Sequence, residues 1–578
     1  MDLSSPTVSA SVDGDGAPVA SSVSAVMAFA RQPRAAAIAF AVLLAVAVPV
    51  LLSYGSHLWF FADEWGFLVG KDAGRSWFAP QNQHWSTAPI IGYQALFAGF
   101  GITTYTPYLL VVICMHLGLA TLIRTVMRRA GVRPWVATAC AATFVLFGPG
   151  EQNILSPVQI SMVGTMLCGF AQMILSDHDG PIRRRDVAAL AFGVLSLTTS
   201  AIAPVLVVTV GACALLRRRW LAAAFHTVPL GLIYGVWYLT FRTDMGSAAL
   251  GRPQPDVVAA WIRSGVTGVF EALAHGPVLG ALLGAVMVIG LGLAWRGHPS
   301  AHAESDESAE PTESTEATEA IEVTNPPAWR RQLCAPTALL LGPIVLMGLL
   351  PFSARVFFGP DLARSSRYVS MAAAMTLPAL AVAIDAIGRR TRDLGLALAY
   401  APLAIGLVLN ATAFNINGFT GAFFERQRQL VWAYASNPLA TAVPRTYIPD
   451  KRLFGIDRVD IGFLLDAKAS DRLPVVSDLP ASIVDEAAVN LLIDQQPLER
   501  HPDAGTCPAV AGAFRGTLRQ GQRLVIGAAT KITVTIDSNQ TSPVAFEPDR
   551  GPVLVAHVRD VQLVTDRPPA ATPLHLCP

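Results

Sequence analysis

Apolar residues along this chain fall into long uninterrupted runs rather than into an alternating or amphipathic pattern. The runs cover 35–54, 105–126, 135–147, 158–175, 187–216, 221–241, 278–295, 336–351, 369–387 and 394–414. Most approach the roughly 20 residues that a helix needs to cross the hydrocarbon core of a bilayer. The 187–216 block is flanked by Arg183-Arg184-Arg185 and Arg217-Arg218-Arg219. Both its ends therefore belong on one side, and it is expected to cross twice, as two short helices turning near Thr198-Thr199-Ser200. The stretches 89–100 and 257–273 are expected to lie in the interface rather than to cross.

Basic residues gather after alternate runs. They form the cluster Arg124, Arg128, Arg129 and Arg133, the two triplets above, Arg330-Arg331, and Arg389, Arg390 and Arg392. Positive charge is retained on the cytoplasmic side, so these clusters predict about eleven crossings, a cytoplasmic N-terminus and an extracytoplasmic C-terminal part. The expected fold class is an α-helical polytopic membrane protein of about eleven transmembrane helices, with a small, mostly β (α+β) extracytoplasmic domain. Residues 1–30 are expected to form a disordered cytoplasmic tail and not a cleavable signal peptide. Residues 31–296 form the N-terminal membrane bundle, with a first outer loop at 55–104, and 331–414 form the C-terminal membrane helices. Between them, 297–330 repeats Glu at every third position from Glu304 to Glu322, a spacing and composition expected of a disordered acidic cytoplasmic linker. Residues 415–578 change character. Alternation at 531–537 and 553–564 predicts two strands, and helices are expected near 417–436 and 483–494.

Composition sharpens this picture. Of 578 residues, 52% are hydrophobic and only 14% charged, against about 25% charged in soluble domains. The net charge of +1 argues against a nucleic-acid partner. The abundance of Ala, Arg and Val fits a GC-rich bacterial genome, so a multi-pass protein of a bacterial plasma membrane is expected. The seven cysteines show no metal-ligand spacing. Cys507 and Cys577 share the C-terminal part, where export would permit a disulfide.

Candidate chemistry lies at the outward ends of the runs. Asp63 and Glu64 stand side by side among aromatics just past the first run. A carboxylate at a membrane boundary must be solvated, paired or used. Either these two are loop residues capping a helix end, or one is a general base reaching a lipid-borne donor and an aqueous acceptor. His84 and Trp85 belong to the same loop and could orient a sugar. Glu151, Gln152 and Asn153, with Gln159 further on, could bind sugar hydroxyls or cap a Gly-Pro turn. Arg355, Arg364 and Arg367, with Tyr368 beside them, place positive charge where it serves no topological purpose. Guanidinium forks bind phosphate, so they either hold a carrier phosphate or snorkel to lipid headgroups. His116 and His226, inside runs, read as packing residues.

A single helix, an acidic motif (Phe61-Ala62-Asp63-Glu64) in the first outer loop, interface helices and many further spans together resemble the GT-C superfamily of polytopic membrane glycosyltransferases. The resemblance implies transfer of a hexosyl or pentosyl unit from a polyprenyl-phosphate sugar donor to a cell-envelope glycan or lipid acceptor. It also implies that an acid of the first outer loop, by position Asp63 or Glu64, is the catalytic base. Some members of that superfamily use a divalent cation (Mg or Mn) and others do not. If one binds here, Asp63 and Glu151 are the expected ligands. The alternatives from other classes are a transporter or flippase for lipid-linked saccharides, and a structural protein of envelope assembly.

Overall fold

The computed structural model describes residues 34–69, 77–81, 83–243, 252–296, 328–414, 421–450, 453, 459–496, 500–501, 506–510, 512–526, 532–535, 544–546, 553–565 and 574–578. The expected tail (1–30) and nearly all of the acidic linker (297–330) lie outside the described residues. The apolar runs are helices: α1 Ala35–Tyr54, α2 Asp63–Val69, α3 Thr87–Phe100, α4 Thr106–Arg129, α5 Pro134–Val145, α6 Glu151–Leu155 and α7 Ile160–Ser176. They continue with α8 Arg184–Leu197, α9 Ala203–Leu216, α10 Trp220–Phe241, α11 Pro255–Ala274 and α12 Pro277–Trp295. Among the described residues, nine helical segments are long and apolar enough to cross a membrane, which is compatible with a multi-pass membrane protein. The 187–216 block is two short helices, as expected, reversing through 198–202.

The arginine clusters meet at one end of the bundle. Arg129 reaches Ile174 O, Arg217 bridges Asp177 and Asp179, and Arg331 bridges Asp179. Arg133 and Arg389 share the buried Asp385, at 2.5 and 2.8 Å. The helix ends at the other pole converge as well. Tyr54 at the end of α1 donates to Ala411 O, and the backbones of Gly148 and Gly150 pack on Asn410 and Ser370.

Two elements bear on the number of crossings. After α13 Ala328–Gln332, α14 Cys334–Leu339 and α15 Leu341–Leu349, the two expected runs at 369–387 and 394–414 form one unbroken helical segment, α16 Ser366–Ala411. Both its ends face the Gly148–Gly150 turn, so the chain reverses within it, between the candidate spans Ser366–Thr391 and Asp393–Ala411 that match the two expected runs. Helix α11 has the length and composition to cross a membrane, yet its partners all lie at one pole. Val258 and Ile262 flank Gly348, Glu271 holds Arg364, and Ala272 O accepts from Asn410. Its contacts are thus with the bundle end that holds Arg364 and Asn410. Its polar side, Ser264, Thr267 and Glu271, is spent on Arg364.

The C-terminal part has two layers of character. Helices α17 Gly421–Ser436, α18 Ile461–Ala469 and α19 Ala481–Leu492 share the core of the bundle. Gly101, at φ +56, packs against the Arg472 backbone, and Ile102 N–H donates to Arg472 O at 2.7 Å. Among the described residues nine strands follow, in two antiparallel sheets ordered β1-β7-β4-β9-β2 and β3-β8-β5-β6, with a core of their own. These are β1 Ile493–Gln496, β2 Ala509–Val510, β3 Arg515–Leu518, β4 Arg523–Val525, β5 Ile532–Thr535, β6 Val544–Phe546, β7 Val553–Ala556, β8 Val561–Thr565 and β9 Leu574–Cys577. The single strand expected at 553–564 is thus two, β7 and β8, in different sheets. The break is fixed where His557 donates its backbone N–H to Leu492 O and stacks on Tyr447.

Cys507 and Cys577 form a disulfide across a separation of 70 residues. Closing a loop of that size stabilises by about 4 kcal/mol in the chain-entropy account. The Cys507→Ser/Cys577→Ser variant is expected to melt its sheets earlier and to be nicked there by protease, while the helical bundle stays intact. Equal protease resistance of variant and parent would refute this.

Candidate active site

The chain leaves α1 through a loop whose aromatics are driven inward. Phe60 meets Tyr105 and Tyr108 edge-on, at 4.9 and 4.8 Å. Trp59 packs edge-on against Phe60 and Trp65, at 5.5 Å each. Ala62 then takes a left-handed backbone (φ 49), a conformation costly for a residue with a Cβ. It turns the chain into α2, which begins at Asp63. The α2 helix is held from α3, where the Gln94 amide donates to the carbonyls of Phe67 and Leu68.

Glu64 is 2% exposed and fully engaged. Its Oε1 accepts from Tyr93 Oη at 2.8 Å, both oxygens accept from Tyr105 Oη at 3.1 Å, and Oε2 accepts from Phe61 N–H at 3.0 Å. Burial pushes its carboxyl up to about 7, and these hydrogen bonds act in the opposite direction. Burial also raises the Tyr93 and Tyr105 hydroxyls, and the Glu64 charge adds to that. Asp63, by contrast, is only partly buried and lines an open cavity of about 310 Å³.

That cavity brings together residues from distant parts of the chain. Its lining includes Asp63, Glu64 and Tyr105 together with Gln152, Gln159 and Arg367. Phe424 of α17, edge-on to Phe61 at 6.5 Å, covers it from the C-terminal part. Arg367 is positioned through its backbone, since Asn153 Nδ2 donates to Arg367 O at 2.9 Å. Its buried Nε has no hydrogen-bond partner among the described residues.

A second cavity, of about 360 Å³, has a more apolar lining that includes Val205, Leu346 and Leu350 together with His84, Arg355 and Tyr368. Consecutive residues Arg367 and Tyr368 thus line one cavity each. His84 Nδ1 lies 3.0 Å from Ser200 Oγ and 3.2 Å from Ala201 N, and Arg355 Nη2 donates to its Nε2 at 3.2 Å. Burial, then the Arg355 and Arg367 guanidiniums, hold the imidazole down to about 3. The ring is neutral at ordinary pH and serves as an acceptor that fixes Arg355.

Other residues singled out from the sequence lie elsewhere. Trp85 stacks on Trp237 at 5.2 Å and 6°, and donates to Thr87 Oγ1, so it is a packing residue at the α3–α10 contact. Arg364 is bound to Glu271 at 2.7 Å and lines neither cavity. Glu151 also lines neither cavity, although its neighbour Gln152 lines the first. Among the described residues no three His, Cys, Asp or Glu side chains are grouped to hold a metal ion, so Asp63 and Glu151 do not complete a cation site and no step is routed through one here. His116 contacts Val145 O at 3.3 Å, and His226 binds the buried Asp186 at 3.1 Å. The residues that sequence reasoning missed are Trp59, Tyr93 and Tyr105. The only sequence signal for them is the density of aromatics around Asp63 and Glu64. Comparison with known protein families, curated proteins and solved structures gives no match.

The Glu64 environment gives a stability signature. A carboxyl whose folded pKa lies above its unfolded value binds its proton more tightly when folded. Its contribution is fully present below about pH 4.5 and is lost as pH rises through about 7, a change of about 3 kcal/mol. Thermal unfolding of the detergent-purified protein between pH 5 and 8 is expected to show a midpoint that falls with pH, and a shallower fall in Glu64→Gln. Parallel profiles would refute the assignment.

Proposed function

We propose that this protein is a membrane glycosyltransferase of the GT-C kind. It transfers a sugar from a polyprenyl-phosphate carrier to a cell-envelope glycan or lipid acceptor on the outer face of a bacterial plasma membrane. The observation that carries the reading is the shared cavity. Asp63 and Arg367, from opposite halves of the chain, line one wet pocket at the bundle end remote from the arginine clusters. In the orientation that the basic clusters favour, with about eleven crossings, this pole is extracytoplasmic. The disulfide supports the same orientation, because such bonds persist outside the cytoplasm.

In this mechanism Asp63 takes the proton of an acceptor hydroxyl as its oxygen attacks the anomeric carbon. The bond from that carbon to the phosphate oxygen breaks, and the phosphate leaves with the electron pair, held by Arg367. A single displacement inverts the anomeric centre. Glu64, tied to Tyr93 and Tyr105, positions Asp63 rather than acting on substrate. The neighbouring cavity, with Arg355 at His84 and an apolar wall, suits the phosphate and first isoprene units of the carrier. A transporter would need a polar route through the bundle. The buried Asp186 and Asp385 instead sit at the arginine end, each already paired.

The test is direct. The full-length protein in nanodiscs is given radiolabelled polyprenyl-phosphate hexoses and pentoses with an envelope lipid and glycan fraction. Label passing to the acceptor supports the reading. Translocation of the lipid-linked sugar without transfer would replace it with the transporter.

A further inference from the structure

Two residues of the carboxylate cavity carry buried polar atoms that have no role in the mechanism above. Trp59, 5% exposed, and Gln159, 9% exposed, both line it. The buried Trp59 Nε1 and Gln159 Oε1 have no hydrogen-bond partner among the described residues. Leaving such a group unmet costs about 1–3 kcal/mol, and native folds seldom leave buried polar groups unmet without a functional reason or a bound molecule. Both groups are also held in place. The Trp59 indole is wedged edge-on between Phe60 and Trp65. Gln159 closes the 3-10 turn Pro157–Gln159, its N–H bonded to Ser156 O at 2.9 Å, just before α7.

We propose that Trp59 and Gln159 are the recognition pair for the hydroxyl groups of a single sugar ring in this cavity, a proposal that rests on the glycosyl-transfer reading. The indole can only donate, and the Gln159 carbonyl oxygen can only accept. A phosphate would satisfy the first alone and an ammonium the second alone. A ring bearing several hydroxyls satisfies both, because each hydroxyl donates and accepts. Asp63 and Arg367, in the same lining, extend the same mixed pattern. A volume of about 310 Å³ lies at the lower end of the range of about 300–1,000 Å³ for small-molecule sites. It therefore admits one sugar unit rather than an oligosaccharide.

Saturation-transfer difference NMR on the full-length protein in nanodiscs tests this, with methyl hexopyranosides and methyl pentofuranosides as probes. Methoxycyclohexane, a ring without hydroxyls, is the control. At least one glycoside is expected to receive saturation, and the control none. Trp59→Phe, which keeps a ring and loses the N–H, and Gln159→Met, which keeps the length and loses the acceptor, are each expected to weaken binding about five- to tenfold. Asp63→Asn should still bind. Unchanged binding in both variants, or no glycoside binding at all, would overturn the pair and leave water as what meets the two atoms. If transfer activity persists in that case, the enzyme reading stands without the pair. If glycosides bind through the pair but no carrier sugar is ever transferred, the recognition stands and the enzymatic reading falls.

Discussion

Asp63→Asn is expected to lower sugar transfer about a hundred- to ten-thousand-fold, with the purified protein still folded and still binding sugar. The substitution keeps the size and shape of the side chain, replaces one acceptor oxygen by an NH2 donor, and removes the charge with which it takes a proton. The harder question is why the loss should fall on Asp63 when Glu64, pushed up to about 7, has the better-matched basicity. The reason is geometric. Glu64 accepts from two tyrosine hydroxyls and a backbone N–H, so an acceptor hydroxyl would have to displace one of them. Asp63 is partly exposed to the cavity. Glu64 acts through its neighbour: as it ionises near neutral pH, its charge makes Asp63 the stronger base. The wild-type rate should therefore rise between about pH 6 and 8, and Glu64→Gln should keep activity while losing that rise. Full activity in both Asp63→Asn and Glu64→Gln would sink the carboxylate mechanism. A dead Glu64→Gln beside an active Asp63→Asn would move the base by one residue.

How much of this was legible beforehand depends on the kind of signal. The alternation of helix ends was written in the arginines, since Arg129, Arg217, Arg331 and Arg389 are knitted together at one pole. The pair of short helices in 187–216 followed from arginines on both flanks. Asp63, Glu64 and Arg367 could be named because charge beside an apolar run is conspicuous. Their partners could not be named. Tyr93 and Tyr105 are ordinary boundary aromatics until the fold turns their hydroxyls onto Glu64. Trp85 and Arg364 carried the same chemical signal as true cavity residues, yet they are consumed by Trp237 and Glu271. Hydropathy does not record which neighbour a polar tip will meet. It also does not record where helical bonding stops. The charged residues around Thr391 do separate two candidate spans, Ser366–Thr391 and Asp393–Ala411, although helical backbone runs up to them from both sides.

Arg367→Ala is expected to cost about a hundred- to a thousandfold in kcat, with sugar binding through Trp59 and Gln159 nearly unchanged. The guanidinium lines the same cavity as Asp63, and its buried Nε is without a partner among the described residues. The charge is therefore held ready for the second negative charge that develops on the carrier phosphate as the sugar leaves. Such a group acts on the transition state more than on the ground state, so the loss should fall on kcat rather than on KM. Arg367→Lys restores the charge but not the fork, and should recover only part of the rate. Arg355→Ala is the informative contrast. Arg355 lines the second cavity and fixes His84, so its loss should raise KM for the lipid carrier and leave kcat less affected. A carrier with a better leaving group than a monophosphate should suffer less from Arg367→Ala, because less charge needs stabilising. If Arg367→Ala raised KM alone, or changed nothing, the residue would be a lipid-headgroup anchor, and the leaving group would have to be held by another part of the cavity.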